Sequence, residues 1–255
     1  LTAFLSQEAL PREERRRQTG LKILIVSGLL LASFGLAVLA IRPEFDLAAA
    51  RLFFTVPGHF AGVTPEMQLF RAFAALSPFV IYFGAILLYL AGLMRLVPGR
   101  MMLSPRGLLF LSLSLALGPG LFVDQVLKTQ FHRPRPVHVR EFGGFSAFRP
   151  FYRLDGDCGK NCSFPSGEAA AAFWMMAPAA LTPPPLRLAA MGAALLFGAV
   201  TGTLRMAAGA HFLSDVLFSG LAMGLITIGL WLLTRPRQRL AAPAKTGLRE
   251  DLASL

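Results

Sequence analysis

Over 255 residues the chain is 55% hydrophobic and only 15% charged, with a mean hydropathy of +0.57. Soluble domains carry about 25% charged residues, so a soluble fold is excluded, and the length suits about six membrane helices with their loops. The net charge of +11 sits between apolar runs and at the ends, which reads as membrane topology plus an anion site and argues against nucleic-acid binding.

In chain order, residues 1–20 form a basic segment expected on the cytoplasmic side. The apolar run 21–41 is long enough to cross a bilayer and is too long for the core of a cleaved signal peptide. A mixed stretch beginning "RPEFDLAAARLFF" predicts a short helix lying at the interface. Further spans are predicted over 72–96, 108–127, 168–182, 186–204 and 211–233. A long polar loop, 128–167, separates the third span from the fourth. The prediction is therefore an all-α polytopic protein, with one membrane domain over 21–234. The tail, 235–255, is expected to be cytoplasmic and disordered.

Basic residues mark the N-terminus, the turn around Arg95, Arg100 and Arg106, and the tail with Arg235, Arg237 and Arg239. An even number of spans places all three on the cytoplasmic side. The opposite loop breaks that rule, because it holds Lys128, Arg133, Arg135, Arg140, Arg149, Arg153 and Lys160. An anionic substrate supplies a reason to keep cations there. The two cysteines, Cys158 and Cys162, lie in this same loop. They could pair as a disulfide in an oxidising compartment or remain free thiols, and alone they cannot close a zinc site.

Three polar clusters fall at junctions that open on one face: "KTQFHRPRP" with Lys128 and Arg135, "FPSGE" with Ser166, Gly167 and Glu168, and "RMAAGAHFLSD" with Arg205, His211 and Asp215. Lysine and arginine supply charge and donors that suit phosphate oxygens. Ser166 offers a hydroxyl, and Gly167 lets backbone N–H groups approach an oxyanion. His211 and Asp215 are four apart, so a carboxylate can orient an imidazole on one helix face. An oriented imidazole beside a cationic cradle is a nucleophile for phosphorus. With no carboxylate cluster to suggest a magnesium site, the expectation is chemistry without metal or other cofactor. His132 and Arg133 stand close to the cradle as accessory candidates: His132 suits a loop role or assistance in proton transfer, and Arg133 a second anionic group or simply water.

These clusters resemble the type 2 phosphatidic acid phosphatase (PAP2) superfamily, whose signature runs K-x6-RP, PSGH and SR-x5-H-x3-D. Lys128 with Arg135-Pro136, Pro165-Ser166-Gly167, and Arg205, His211 and Asp215 match it in order and spacing. The resemblance implies metal-free hydrolysis of a lipid phosphomonoester or phosphoanhydride on the periplasmic face of a bacterial inner membrane. It implies a phosphohistidine at His211, orientation by Asp215, and phosphate binding by Lys128, Arg135, Ser166, Gly167 and Arg205. Leu204 replaces the serine before Arg205, and Glu168 replaces the histidine of PSGH, the family's usual acid toward the leaving group. Glu168 could carry that proton, read the head group or simply suit the helix dipole. Family members that dephosphorylate lipid A match best in size and layout. An isoprenoid diphosphate or phosphatidylglycerophosphate phosphatase, a phosphotransferase and a non-catalytic lipid-phosphate binder are the alternatives. A transporter is disfavoured, because its charges would lie midway along several spans.

Overall fold

The structure, a computed structural model, describes residues 12–98 and 103–236; over 122–129 it describes the backbone alone. Arg100, Arg237, Arg239, most of the predicted tail and the side chain of Lys128 therefore lie outside the described residues.

Helix α1, Arg12–Ile41, carries Glu13 and Glu14 in its first turn, where the dipole favours them. Its 30 residues rise about 45 Å, more than the ~30 Å of a hydrocarbon core. The helix thus starts inside the predicted N-terminal segment, and its basic first turns extend beyond the apolar run. Pro43 follows its end, and the short helix α2, Glu44–Arg51, comes next. A hairpin of β1, Phe54–Val56, and β2, His59–Phe60, pairs Phe54 with Phe60; Gly58 turns it with a φ of 77°.

Helices α3, Pro65–Leu93, and α4, Pro105–Leu115, start alike. In each a hydroxyl, Thr64 or Ser104, accepts from a backbone N–H of the first turn, and proline occupies the first helical position. The rod of α4 continues as a π-helical stretch, Ala116–Leu127, containing Pro119, and ends in α5, Lys128–Phe131. Proline lacks the N–H of a regular turn, so this rod changes pitch near its outer end.

The fourth predicted span differs most from expectation. It is two short pieces, α6, Gly167–Phe173, and α7, Met176–Ala180. Together they rise about 18 Å, too little to cross a hydrocarbon core. Ala169, Ala170, Ala172 and Trp174 are wholly buried. This is a half-helix enclosed by longer neighbours, with Trp174 Nε1 donating to Ser114 Oγ at 2.9 Å. Small residues admit it: a Cβ on Gly198 would lie 2.2 Å from the Phe173 ring. Helices α8, Pro184–Ala207, and α9, Leu213–Thr234, complete the bundle.

Helices α1, α3, α8 and α9 are long and apolar enough to cross a membrane, and Pro105–Leu121 is a shorter apolar helix. Leu30, Leu31, Phe34, Leu76 and Val80 are exposed, as lipid-facing side chains are. The chain is an all-α multi-pass membrane protein.

At one end of the bundle Arg17 donates to the Pro185 carbonyl at 2.6 Å, joining the start of α1 to the first turn of α8. Three further junctions meet at the opposite end. There Gly62 N–H donates to Ala207 O at 2.7 Å and Val137 N–H to Gly209 O at 3.1 Å. Ala50, Phe60, Val139, Phe142 and Phe212 form a buried apolar cap over that end. Gly62 is fixed by close approach, since a Cβ there would lie 2.4 Å from the Ala207 backbone. Gly62→Ala should therefore lower stability by about 1–3 kcal/mol through overpacking, measurable as a drop in thermal midpoint of the detergent-purified protein.

Candidate active site

The site is built on a charge network that no water reaches. Arg133 is fully buried. Its Nε donates to Arg149 O at 2.8 Å and its Nη2 to Asp46 Oδ2 at 2.8 Å. Its Nη1 donates to Ser214 Oγ at 2.7 Å and, in a short contact, to Asp215 Oδ1. The guanidinium also lies over the Phe212 ring, 4.3 Å from its centroid. Asp46 in turn accepts from Ser214 N–H at 2.9 Å and Ser214 Oγ at 2.5 Å. Helix α2, the loop after α5 and the start of α9 are thus tied by one cation between two carboxylates. The expectation that Arg133 contacts a second anionic group of the substrate is corrected by this geometry, because its donors face inward and are already engaged.

His211 precedes α9 and is buried, with 3% exposure. Its Nδ1 lies 2.6 Å from the Ser163 carbonyl. A carbonyl only accepts, so the hydrogen sits on Nδ1 and Nε2 keeps its lone pair. The Asp215 carboxylate is 3.6 Å from Nδ1. Its closer partners are Ser163 Oγ at 2.5 Å and Phe212 N–H at 2.8 Å. Asp215 therefore holds the residues flanking the imidazole more tightly than the ring itself, and its charge faces the ring. Burial pushes the His211 pKa down and outweighs the opposing pull of Asp215, while Arg205 and Arg135 add to the lowering. The resting imidazole is neutral.

Around His211 the cationic residues converge. Arg205, at the end of α8, is 6% exposed. The Nε atoms of Arg205 and Arg135 are buried with no hydrogen-bond partner among the described residues. Such orphaned charged donors are costly unless a ligand meets them. Arg135 Nη2 also donates to Asn161 Oδ1 at 2.5 Å. Ser166 caps α6, its Oγ accepting from Ala169 N–H at 3.4 Å, which leaves its hydroxyl hydrogen free. A seven-residue helix has little macrodipole, so the local N–H groups and the arginines are what favour an anion here. Lys128 begins α5.

The Glu168 carboxylate is engaged by two arginines. Arg71 Nε lies 3.0 Å from each of its oxygens, and Arg71 Nη2 is 2.9 Å from Oε1. Arg205 Nε stands 3.4 Å from Oε2. In this arrangement the carboxylate accepts hydrogens from α3 and faces a second guanidinium on α8. His132 is engaged with its own loop. It is exposed, takes a φ of 43°, and its Nδ1 meets Cys158 O at 3.0 Å. With Cys158 N–H donating to His132 O, it fastens the loop that a Cys158–Cys162 disulfide closes.

Four contributors were missed from sequence: Asp46, Arg71, Ser163 and Ser214. An aspartate on the inner face of an interfacial helix, and a lone arginine at the outer start of a span, are the available signals. The two serines carry no pattern at all.

The PAP2 superfamily model matches residues 107–239. A lipid A 4'-phosphatase from Francisella tularensis subsp. novicida is 33% identical over 207 residues, covering 80% of this chain and 92% of that protein. Lipid A 4'-phosphatases from Rhizobium leguminosarum and Rhizobium etli are each 38% identical over 125 residues, 49% of this chain. Those matches cover 54% and 49% of the Rhizobium proteins. No solved structure matches the chain. The chain belongs to the PAP2 superfamily.

Two outcomes follow from the network. Arg133→Ala should cost about 3–5 kcal/mol, because it leaves two buried carboxylates without their cation; Arg133→Lys should recover only part, since an ammonium cannot span four acceptors. Thermal unfolding monitored by size exclusion reads both. For His211, protonation is refused in the fold while an unfolded histidine accepts it near 6.5. Its contribution to stability is therefore full above that value and falls as pH drops below it. The acid limb of kcat/KM should lie below the ordinary histidine value, and a pH–rate profile locates it.

Proposed function

We propose that this membrane phosphatase removes the 4'-phosphate of lipid A through a covalent intermediate on His211. The observation that carries the reading is the His211 Nε2 lone pair beside two buried arginine donors, on Arg135 and Arg205, that make no hydrogen bond among the described residues. The substrate reading draws on the relatives, one of which shares 33% identity over 92% of its own length.

In the proposed reaction Arg135, Arg205, Ser166, Gly167 and Lys128 hold the phosphate oxygens, and the buried donors of Arg135 and Arg205 are in place before the chemistry begins. The Nε2 lone pair attacks phosphorus, the P–O bond to the sugar breaks, and the leaving oxygen takes up a proton. The imidazole becomes cationic as the P–N bond forms, and the Asp215 carboxylate 3.6 Å away stabilises that charge. Water then attacks phosphorus, the P–N bond breaks, and the proton lost by water completes the balance. Glu168 is the proposed proton carrier between leaving oxygen and water. Asp215 is a positioning residue, acting through Ser163 and through charge.

The site is proposed to face the periplasm of the inner membrane, with both termini cytoplasmic. The disulfide in the site loop suits an oxidising compartment, and Arg17 meets the Pro185 turn at the opposite end, where the predicted cytoplasmic junctions lie.

Purified protein should release inorganic phosphate from lipid A in the presence of EDTA, leaving the 1-phosphate in place by mass spectrometry. His211→Ala should lose more than about a thousand-fold in rate. A trapped phosphoenzyme that survives acid, as a phosphohistidine does not, or an active His211→Ala, would refute the nucleophile; release only from isoprenoid diphosphate would refute the substrate.

A further inference from the structure

The Glu168 carboxylate sits between guanidinium groups from two helices, as an anionic ligand would. It receives three contacts of 2.9–3.0 Å from Arg71 and lies 3.4 Å from Arg205 Nε. That same Arg205 nitrogen is buried and makes no hydrogen bond among the described residues, so the carboxylate neutralises it without satisfying it. Arg135 keeps a second buried donor unpartnered, and the charges of Glu168 and Arg71 both act on it. The cradle thus holds an internal anion that only partly fills it. Arg71 is half-exposed, with 47% of its side chain accessible, while Glu168 retains 26%. Both can move without opening the core.

We propose that Glu168 is an internal counter-ion held in place of substrate, and that an incoming phosphate displaces it and takes over Arg71 as a further phosphate-binding residue. The inference rests on the phosphatase reading above and adds a residue, Arg71, on α3, outside the three motif clusters. A phosphate dianion offers more acceptor oxygens and more charge than a carboxylate, and arginine's fork suits it. The exchange keeps Arg71 and Arg205 beside an anion before and after binding, and it gives the unpartnered Arg135 donor an acceptor when phosphate arrives. It also gives Glu168 a reason to change state. A carboxylate that loses its arginine beside a phosphate is drawn toward protonation, which is what a proton carrier for the leaving oxygen requires. One residue then serves as stand-in ligand before binding and as proton carrier after it.

The test is equilibrium binding of radiolabelled inorganic phosphate to the detergent-purified full chain. Glu168→Gln removes the competing anion and should tighten phosphate binding by about fivefold, the size of one lost partly exposed ion-pair competitor. Arg71→Ala should weaken it by a similar factor, with Arg71→Lys recovering part. In the Arg71→Ala background the gain from Glu168→Gln should shrink, because the two residues compete through one contact. Unchanged or weaker binding by Glu168→Gln overturns the counter-ion role. Unchanged binding by Arg71→Ala shows that Arg71 only positions Glu168 and overturns the transfer. Size exclusion and thermal midpoint verify that each variant is folded; both residues are partly exposed, so the substitutions leave the core intact. If the wild type neither binds phosphate nor releases it from any lipid, the phosphatase reading itself fails. If the wild type hydrolyses lipid and Glu168→Gln binds no tighter, only the displacement fails.

Discussion

A guanidinium cut off from water must find acceptors for its donors, and Arg133 does so by drawing three separate segments together. It takes Asp46 from the interfacial helix, Asp215 and Ser214 from the start of α9, and a carbonyl from the outer loop. Removing any one partner leaves a charge in a medium that cannot solvate it, so the arrangement is all-or-none. The helices enter the membrane at separate points, but this network fixes their outer ends against one another. The position of the site depends on that fixation.

The network also explains how the imidazole is held. Asp215 is committed to Arg133, to Ser163 and to the backbone of Phe212, and Ser163 is committed to His211. Rigidity passes from the buried cation to the imidazole through the Asp215 and Ser163 side chains and the Ser163 carbonyl. Arg133 shares its single positive charge between two carboxylates, so the cluster carries an excess negative charge beside a neutral imidazole. That excess would offset the charge of the ring in the proposed intermediate. Burial keeps the resting ring neutral and the neighbouring carboxylate favours its charged form, the pairing of opposite influences that the proposed nucleophilic role needs.

The proposed phosphate cradle follows a different rule. Its arginines approach from α3, α8 and the outer loop, and some of their donors are buried and idle. A soluble site could satisfy such donors with bulk water; at the end of a close-packed bundle they are costly without an anion. The irregular half-helix of α6 and α7 contributes by being short and rich in alanine, which lets α8 and α9 close in and places Ser166 at the convergence. The Glu168 carboxylate beside it reduces the electrostatic strain of three guanidinium groups held close together.

Composition alone determined that the chain crosses a membrane, because backbone in hydrocarbon must bond to itself and runs of apolar residues leave helices as the answer. Motif spacing brought Lys128, Arg135, Ser166, Gly167, Arg205, His211 and Asp215 into one expected site, since those residues lie at junctions that open on one face. The spans at 21–41, 186–204 and 211–233 were legible because long apolar periodicity is a local signal. The breaking of the fourth span was not, because an alanine run suits a buried half-helix as well as a crossing one, and only the neighbours decide. The partners of Arg133 and Glu168 were equally hidden. Asp46 is 87 positions from Arg133 and Arg71 is 97 from Glu168, and ion pairs that distant have no signature in either segment. Burial converted Arg133 from an apparent surface cation into the centre of the fold, and it did so because desolvation, a property of tertiary packing, decides whether a charge faces a ligand or is held by its own protein.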